Sequence, residues 1–290
     1  MTSPKISIGI SFKNPGSYFQ LALKSIFAQT FGDWELILID DGSTDDSLTL
    51  AKSTKDKRVR VYGDGKSFGL NVRLNQMIQL ANAPYFFRMD ADDIMHPQRL
   101  EKQYQALLQH DENTVIGTAA YSIDVNSHVV GFRASPQKQK FGYAARHSFW
   151  HPTVAASTKW FRQNPYSENF IFMRSEDAEL WCRTSEKTKF LNLSEPLFYY
   201  RESGNFSFCN YLGTSLGLLN IIHDNFNKLS HKYVYQLSKE ILKLWIVLIL
   251  DSFGMTNYLV ARRYKGLKPE ELQIAHAGLE IIQQQKLPLE

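Results

Sequence analysis

Phe86-Phe87-Arg88-Met89-Asp90-Ala91-Asp92-Asp93-Ile94-Met95-His96-Pro97 is a hydrophobic run that ends in three carboxylates. Tyr85 to Met89 is aromatic and apolar enough for a buried strand, and Pro97 with the leucine-bearing segment Gln98 to Leu108 reads as the start of a helix. The carboxylates therefore fall at the C-terminal end of a strand. In open α/β sheets ligands bind at that edge, because the loops there splay into a crevice. Three aspartates so close together repel one another. A hard divalent cation with oxygen ligands, shared with a phosphate-bearing substrate, is the simplest compensation, and Mg2+ or Mn2+ suits the donor set. Taken alone, the segment also fits an acidic turn whose aspartates only cap the next helix, so the flanking sequence must arbitrate.

Working outward, Ile6 to Ile10 is a short apolar run, Ser11 to Gly16 is turn-like, and Tyr18 to Gln29 carries apolar residues at helical spacing. Glu35 to Ile39 is a second buried strand, followed by the acidic turn Asp40-Asp41-Gly42-Ser43-Thr44-Asp45-Asp46 and a polar helix to about Lys55. Val59 to Tyr62 is a third strand, and a helix over Leu70 to Leu80 leads into the quoted stretch. Strand and helix in alternation predict a parallel sheet with right-handed crossovers, which places both acidic turns on one sheet edge. A scaffold gains nothing from like charge collected at one rim, whereas a nucleotide site with a metal requires it. The chain has no glycine-rich phosphate loop with its lysine and no dinucleotide fingerprint, so phosphate charge falls to the metal.

The composition is that of a folded protein, with 290 residues in one large or two modest domains, 43% hydrophobic and 13% aromatic. A net charge of +4 with dispersed basic residues does not call for nucleic acid and is compatible with an anionic substrate or a membrane surface. Cys182 and Cys209 form neither a metal-ligand spacing nor a disulfide framework. Met1 to Lys5 runs into a strand without an apolar leader, so the expected location is cytoplasmic.

Two segments, Ile37-Leu38-Ile39-Asp40-Asp41-Gly42-Ser43-Thr44-Asp45 and Arg88-Met89-Asp90-Ala91-Asp92-Asp93 with Pro97, Arg99 and Leu100, resemble the inverting family 2 glycosyltransferases of the GT-A fold, of the kind that build bacterial surface polysaccharides. The resemblance covers about Ile6 to Ser207. It implies that Asp41 lies opposite the nucleotide base, where a carboxylate accepts a hydrogen bond from a uracil imide. It further implies that Asp92 ligates the metal, that Asp90 contacts ribose or the donor sugar, and that Asp93 supports them or caps the helix. Gly69-Leu70-Asn71-Val72-Arg73-Leu74-Asn75 matches the family's next helix, except that Leu74 stands where an arginine is frequent; Arg73 is either a substitute nucleotide contact or part of a solvated helix face. Ser11-Phe12-Lys13-Asn14 departs from the commoner proline-threonine-tyrosine-asparagine form, and Lys13 is expected at phosphate or base.

Further along, Val115 to Ile123 and Val129 to Phe132 predict strands, and Phe141 to Phe149 a short helix. His151, in a family-like Trp150-His151-Pro152, approaches the donor phosphates or the acceptor, or is a structural residue before a proline. In Arg174-Ser175-Glu176-Asp177-Ala178-Glu179, Ser175 is placed to cap a helix with Glu176 and Asp177 in its first turn. The resemblance makes Asp177 the catalytic base, which takes the proton of an acceptor hydroxyl as it attacks the anomeric carbon, and Glu176 a positioning residue. Leu197 to Arg201 resembles the closing strand, with Arg201 either at the diphosphate or paired with a carboxylate. The signature of processive synthases is absent after Asp177, so addition of a single sugar is expected.

This divides the chain into a GT-A-like α/β catalytic domain at 1–207, with its nucleotide-sugar half at about 1–110 and its acceptor half at about 111–207, and a helical region at 208–290. Tyr211 to Leu229, Tyr233 to Phe253 and Glu270 to Gln285 predict helices. Ile241 to Leu250 is too short to span a bilayer, which needs about 20 apolar residues. Trp245, Tyr258, Arg262, Arg263 and Lys265 suit a membrane surface, a second subunit or packing on the catalytic domain. The expected activity is metal-dependent, inverting transfer of one hexosyl or hexosaminyl unit from a nucleotide sugar, UDP-linked, to a glycan or lipid-linked glycan. The rivals are a sugar nucleotidyltransferase, which would need a glycine-rich phosphate loop, and a non-catalytic nucleotide-sugar binding subunit, which would need no base.

Overall fold

The computed structural model describes residues 3–202, 207–226, 230–255 and 265–289. Its frame is one sheet of strand order β3-β2-β1-β4-β8-β6-β9-β5, with β7 paired to β6. In chain order the strands are β1 (Ile6–Phe12), β2 (Trp34–Asp40), β3 (Val59–Gly63), β4 (Tyr85–Arg88), β5 (Ile94–Met95), β6 (Thr114–Ile123), β7 (Val129–Arg133), β8 (Ala155–Ser157) and β9 (Lys189–Arg201). The expected α/β fold, a mostly parallel sheet flanked by helices, is what the chain adopts. β3, β2, β1 and β4 are parallel throughout, as is the long β6–β9 pairing, while β8, β7 and β5 join antiparallel.

Strand alternation sorts the core onto the two faces of the sheet. Ile6, Ile8, Ile10 and Phe12 of β1 and Leu36 and Leu38 of β2 pack with Phe19, Leu23 and Ile26 of α1 (Tyr18–Phe27) and Leu100 and Leu107 of α4 (Arg99–Leu108). On the other face, Ile37, Ile39 and Phe86 meet Leu74, Met77 and Ile78 of α3 (Leu70–Leu80), Trp160 and Phe161 of α5 (Thr158–Gln163) and Leu180 and Trp181 of α6 (Glu176–Thr184). The short helix α2 (Ser47–Ser53) covers the β3 side.

Two elements differ from the periodicity reading. β9 extends back to Lys189, because Asn192, Ser194, Glu195 and Pro196 break the apolar pattern while the backbone still pairs with β6 through register shifts. The segment expected as a short helix over Phe141 to Phe149 is a 3-10 helix, Gly142–His147.

The C-terminal helices are α7 (Phe208–Asn225), α8 (His231–Ser252) and α9 (Pro269–Gln284). α7 packs through Ile221 and Ile222 on Phe172, Ala178 and Cys182. α9 returns to the central sheet, where Ala275, Leu279 and Ile282 bury against Ile94, Tyr121 and Tyr199. The Tyr199 hydroxyl donates to the Ala275 carbonyl at 2.8 Å, and a Cβ at Gly278 would lie 2.2 Å from that hydroxyl, so only glycine admits the contact. α8 leaves an apolar face in solvent that includes Leu242, Trp245, Ile249 and Phe253. Among the described residues no helix is long and apolar enough to cross a membrane. Tyr258, Arg262 and Arg263 lie outside the described residues.

Candidate active site

Because β2 and β4 run parallel to β1, the two acidic turns do emerge on one edge. The β1 and β2 loops are laced together there: Asn14 Oδ1 accepts from the amides of Thr44 at 2.7 Å and Asp45 at 3.3 Å, and Asp45 Oδ2 accepts from the amide of Gly16 at 3.0 Å. Asp40 holds its own turn by accepting from the amides of Gly42 and Ser43. Asp41 is buried and accepts from Ser67 Oγ at 2.9 Å, the Phe68 amide at 2.8 Å, the Gly69 amide at 3.2 Å and Arg73 Nε at 2.8 Å. Burial raises its pKa, but these four donors outweigh burial and hold it below the ordinary range. Lys13 Nζ donates to Ser67 Oγ at 3.0 Å, which places Lys13 one hydroxyl away from Asp41.

Arg73 corrects one expectation. It does not lie on a solvated helix face: it is 2% exposed, and it ties Asp41 to Asp64 (Nη2–Oδ1 2.8 Å) and to the Lys66 carbonyl. Its position on α3 points it at the loop 64–69, and the apolar side of the helix, Leu74 included, is spent on the core.

The second turn gathers Asp90, Asp92 and Asp93, with one carboxylate oxygen from each lying within 4.8 Å of the others. Of its two expected roles, Asp93 takes the supporting one and does not cap the helix, whose N-cap is Gln98. It is buried and accepts from the backbone amide of Arg201 at 2.7 Å. Burial, then the charges on Asp92 and Asp90, push its carboxyl well above the ordinary range. Asp92 is the exposed member of the three; desolvation in the cleft and the charge on Asp90 raise its pKa as well. Mutual repulsion among unscreened oxygens is what a cation would relieve, and the all-oxygen donor set fits Mg2+ or Mn2+. With Asp93 committed to Arg201, Asp90 and Asp92 are the carboxylates open to it.

Arg201 pairs with backbone carbonyls rather than with a carboxylate side chain, the second of its two expected roles. Its Nε donates to the Asp92 carbonyl at 2.7 Å and its Nη1 to the Asp124 carbonyl at 2.7 Å, so it clamps the backbone of the acidic turn, with its guanidinium carbon 4.1 Å from the Tyr18 ring centre. Arg99, fully buried, supports the same turn by donating to the Arg88 carbonyl at 2.8 Å.

The third group comes from the far half of the chain. A cavity of about 640 Å3 is lined by Asp90 and Arg88 from the end of β4, by Glu176 and Asp177 from α6, and by His151, Trp150 and Tyr200. A cleft of about 730 Å3 beside α3 includes Arg73 and Asp64 but none of the carboxylates of the acidic turn or of α6, so the smaller cavity is where those groups converge. Ser175 does not cap α6 through its side chain. Its buried hydroxyl has no hydrogen-bond partner among the described residues, and α7 crosses so close that a Cβ at Gly217 would sit 1.9 Å from Ser175 Oγ. The C-terminal helix thereby braces the segment that carries Glu176 and Asp177.

The two carboxyls of α6 are both raised in pKa. Burial, then the charge on Asp177, push Glu176 up to about 8. Asp177 is also raised by burial, against the pull of the Ala178 amide, which donates to its Oδ1 at 2.8 Å, and of the Arg88 charge. Both carboxyls are thus pushed up by burial, and each disfavours the charge of the other, so the pair resists carrying two negative charges. His151 lies 3.6 Å from Glu176 Oε1 and pairs through Nε2 with the Tyr166 hydroxyl at 2.9 Å. Burial and then Arg88 hold its pKa well below the ordinary value, so it is a neutral, partnered residue in the cavity wall.

Arg88 was not singled out from sequence. It is 2% exposed, donates to Asp90 Oδ1 at 2.5 Å, and leaves Nε and Nη1 without a hydrogen-bond partner among the described residues. The available signal was an arginine inside an otherwise apolar strand, one turn before three aspartates. Tyr166 and the buried Arg133–Glu202 pair carry no such local signal.

These features define an α/β protein that works at the carboxyl edge of its sheet, in a cavity walled by two sets of carboxylates. The family model described as Glycosyl transferase family 2 matches residues 7–175, and the chain belongs to that family. It is similar to EpsE of Bacillus subtilis (strain 168), 31% identical over 210 residues that cover 70% of this chain and 75% of that one. It is likewise similar to the O-antigen biosynthesis glycosyltransferase WbnJ of Escherichia coli, 32% identical over 208 residues, 68% of this chain and 79% of the relative. Residues 1–349 of S. aureus TarS share the fold at 18% identity, with a TM-score of 0.58 over 97% of this chain and 80% of that chain.

Proposed function

We propose that the chain transfers a single sugar from a UDP-linked nucleotide sugar to a glycan or lipid-linked glycan, with inversion at the anomeric carbon. The observation that carries this reading is that Asp90, beside the open carboxylate of Asp92, and Asp177 of α6 face one cavity although they lie far apart in sequence. The TarS fold neighbour has been solved with UDP and with UDP-GlcNAc, and WbnJ carries an O-antigen designation; both favour a nucleotide sugar and a surface glycan.

Asp90 and Asp92 would hold a divalent cation, Mn2+ or Mg2+, which when bound offsets the negative charge of a departing diphosphate. Asp177 takes the proton from the acceptor hydroxyl. Glu176, raised in pKa like Asp177, resists a second negative charge on the pair, and Arg88 holds Asp90 and Asp177 in one electrostatic frame. Asp41, Lys13 and the loop that Arg73 fixes form the wall for the nucleotide. A uracil imide that reaches Asp41 displaces one of the donors now held there, Ser67 Oγ being the one on a freely rotating hydroxyl, since Arg73 is buried and tied to Lys66 as well. The reaction takes place on the cytoplasmic side, with the apolar face of α8 toward a membrane surface or a second subunit.

The test is Asp177→Asn, which keeps the size of the side chain but cannot take a proton. Calorimetric affinity for UDP with Mn2+ should be retained while transfer falls by about 10²–10⁴-fold. The anomeric coupling in the proton NMR of the product should show the configuration opposite to that of the donor. Near-normal turnover in the variant, or a retained configuration, overturns the assignment.

A further inference from the structure

The cavity around Asp177 is lined by the guanidinium groups of Arg88, Arg133, Arg146 and Arg174 and by the carboxyls of Asp90, Glu176 and Asp177. Two of the cations are neutralised within the protein. Arg88 pairs with Asp90, and Arg133 donates to both oxygens of Glu202 at 2.7 and 2.6 Å in a pair buried on both sides. The other two have no carboxylate at hydrogen-bond distance among the described residues. Arg174 is exposed, three positions before Asp177, and donates to the neutral side chain of Asn210 at 2.6 Å. Arg146 lies over the Tyr143 ring at 3.9 Å and donates to the Tyr143 carbonyl at 2.8 Å. The carboxylate nearest to it, Glu240, is 3.9 Å away and already accepts from Lys243 Nζ at 2.8 Å and the Tyr143 hydroxyl at 3.1 Å. The buried Nε of Arg146 has no partner among the described residues.

A guanidinium that lines a cavity without a carboxylate at hydrogen-bond distance has donors to offer a ligand oxygen. Its planar fork is matched to a phosphate or carboxylate rather than to a neutral hydroxyl. Four arginines against three carboxyls leave the lining with surplus positive charge. On the proposed function, on which this step rests, the donor diphosphate is met at Asp90 and Asp92, so this charge is left for the other substrate.

We infer that the acceptor carries an oxyanion close to the hydroxyl that reacts, and that Arg146 and Arg174 bind it. Arg174 stands beside the base in sequence and on the same cavity wall. It therefore selects an acceptor whose phosphate or carboxylate is placed so that the neighbouring hydroxyl meets Asp177. The chemistry required is a sugar phosphate or a uronic acid unit, not a neutral glycan end.

Saturation-transfer NMR titrations with glucose 1-phosphate, glucuronate and glucose test this, on protein loaded with UDP and Mn2+ and again on protein in chelator without UDP. At least one charged sugar should bind roughly tenfold or more tightly than glucose, the worth of one hydrogen bond to a charged group, and the preference should shrink in high salt. The stronger of the two charged probes identifies phosphate or carboxylate as the source. Arg174→Gln, a surface change that leaves the core untouched, and Arg146→Gln should each cost about tenfold in that binding. Arg146→Lys, which keeps the charge, should recover part of the loss. The UDP–Mn2+ affinity of all three variants should be that of the parent. Equal binding of glucose and both charged sugars overturns the inference, as does a parallel loss of UDP affinity in the variants, which would assign the arginines to the donor. If UDP fails to bind with Mn2+ while the charged sugars still bind through the arginines, the donor reading falls and the anion site stands.

Discussion

Arg73→Met removes a buried guanidinium and retains most of its aliphatic packing. The lost interactions are the 2.8 Å bond to Asp41, the 2.6 Å bond to the Lys66 carbonyl, the 2.9 Å bond to Gln76 Oε1 and the stacking of the guanidinium 4.9 Å from the Phe68 ring centre; Asp64 is exposed and adds little. Removing one partner of a buried ion pair costs about 3–5 kcal/mol. Here Asp41 keeps Ser67, Phe68 and Gly69 as donors, so the lower end applies, about 3 kcal/mol, which corresponds to roughly 5–10 °C in Tm for a chain of this size. Urea unfolding of the variant against the parent measures it. The pH dependence supplies a second, signed readout. Since Asp41 is held below its ordinary pKa of about 3.8, its contribution is present above that pH and is lost as the pH falls through the lower folded value. Without Arg73 the folded pKa rises, so the variant should lose less stability than the parent on acidification below pH about 4. A cost under about 0.5 kcal/mol, the size expected for an exposed arginine on a helix, would refute the buried tie between α3 and the β2 turn.

Glu176→Gln should act at the other end of the pH scale. The folded protein retains the Glu176 proton up to about 8, so the stabilisation from that group is complete below its ordinary value of 4.5 and fades as the pH climbs toward 8. Melting curves from pH 5 to 9 should therefore decline less steeply in the variant, and an unchanged slope would contradict the raised pKa of Glu176. Asp92→Ala should abolish the gain in UDP affinity on adding Mn2+, and equal calorimetric affinity of the parent in excess chelator would rule out a metal at this turn. The face of α8 with Leu242, Trp245 and Phe253 should bring the protein up with anionic liposomes in flotation or produce a dimer in light scattering. A monomer that ignores liposomes contradicts both.

Much of the site was legible because its parts are punctuation in the sequence. Asp41, Asp90 and Asp92 follow apolar runs, and Glu176 and Asp177 open a helix; a charge at the boundary of a buried element is visible without knowing its neighbours. The protein partners of Arg73 and Arg201 were not legible, for the complementary reason. An arginine on a helix or at the end of an edge strand looks solvated or ready for phosphate, and whether it is instead consumed by the carboxylate of Asp41 or by the carbonyls of Asp92 and Asp124 depends on segments far away in the chain.

The sequence by itself determined the alternation of strand and helix, the common edge of the two acidic turns, and the motifs by which the chain is assigned to its family. Those follow from local periodicity and from the handedness of parallel crossovers, which a short window contains. Only the tertiary structure decided which two of the three aspartates remain open, with Asp93 taken by the Arg201 amide, and that burial raises both Glu176 and Asp177. It alone brought α6, braced by α7 at Gly217, to the cavity that Asp90 and Arg88 line. Burial and the identity of the nearest charge set both the acidity and the availability of a side chain, and both are fixed by contacts between residues that no local pattern relates.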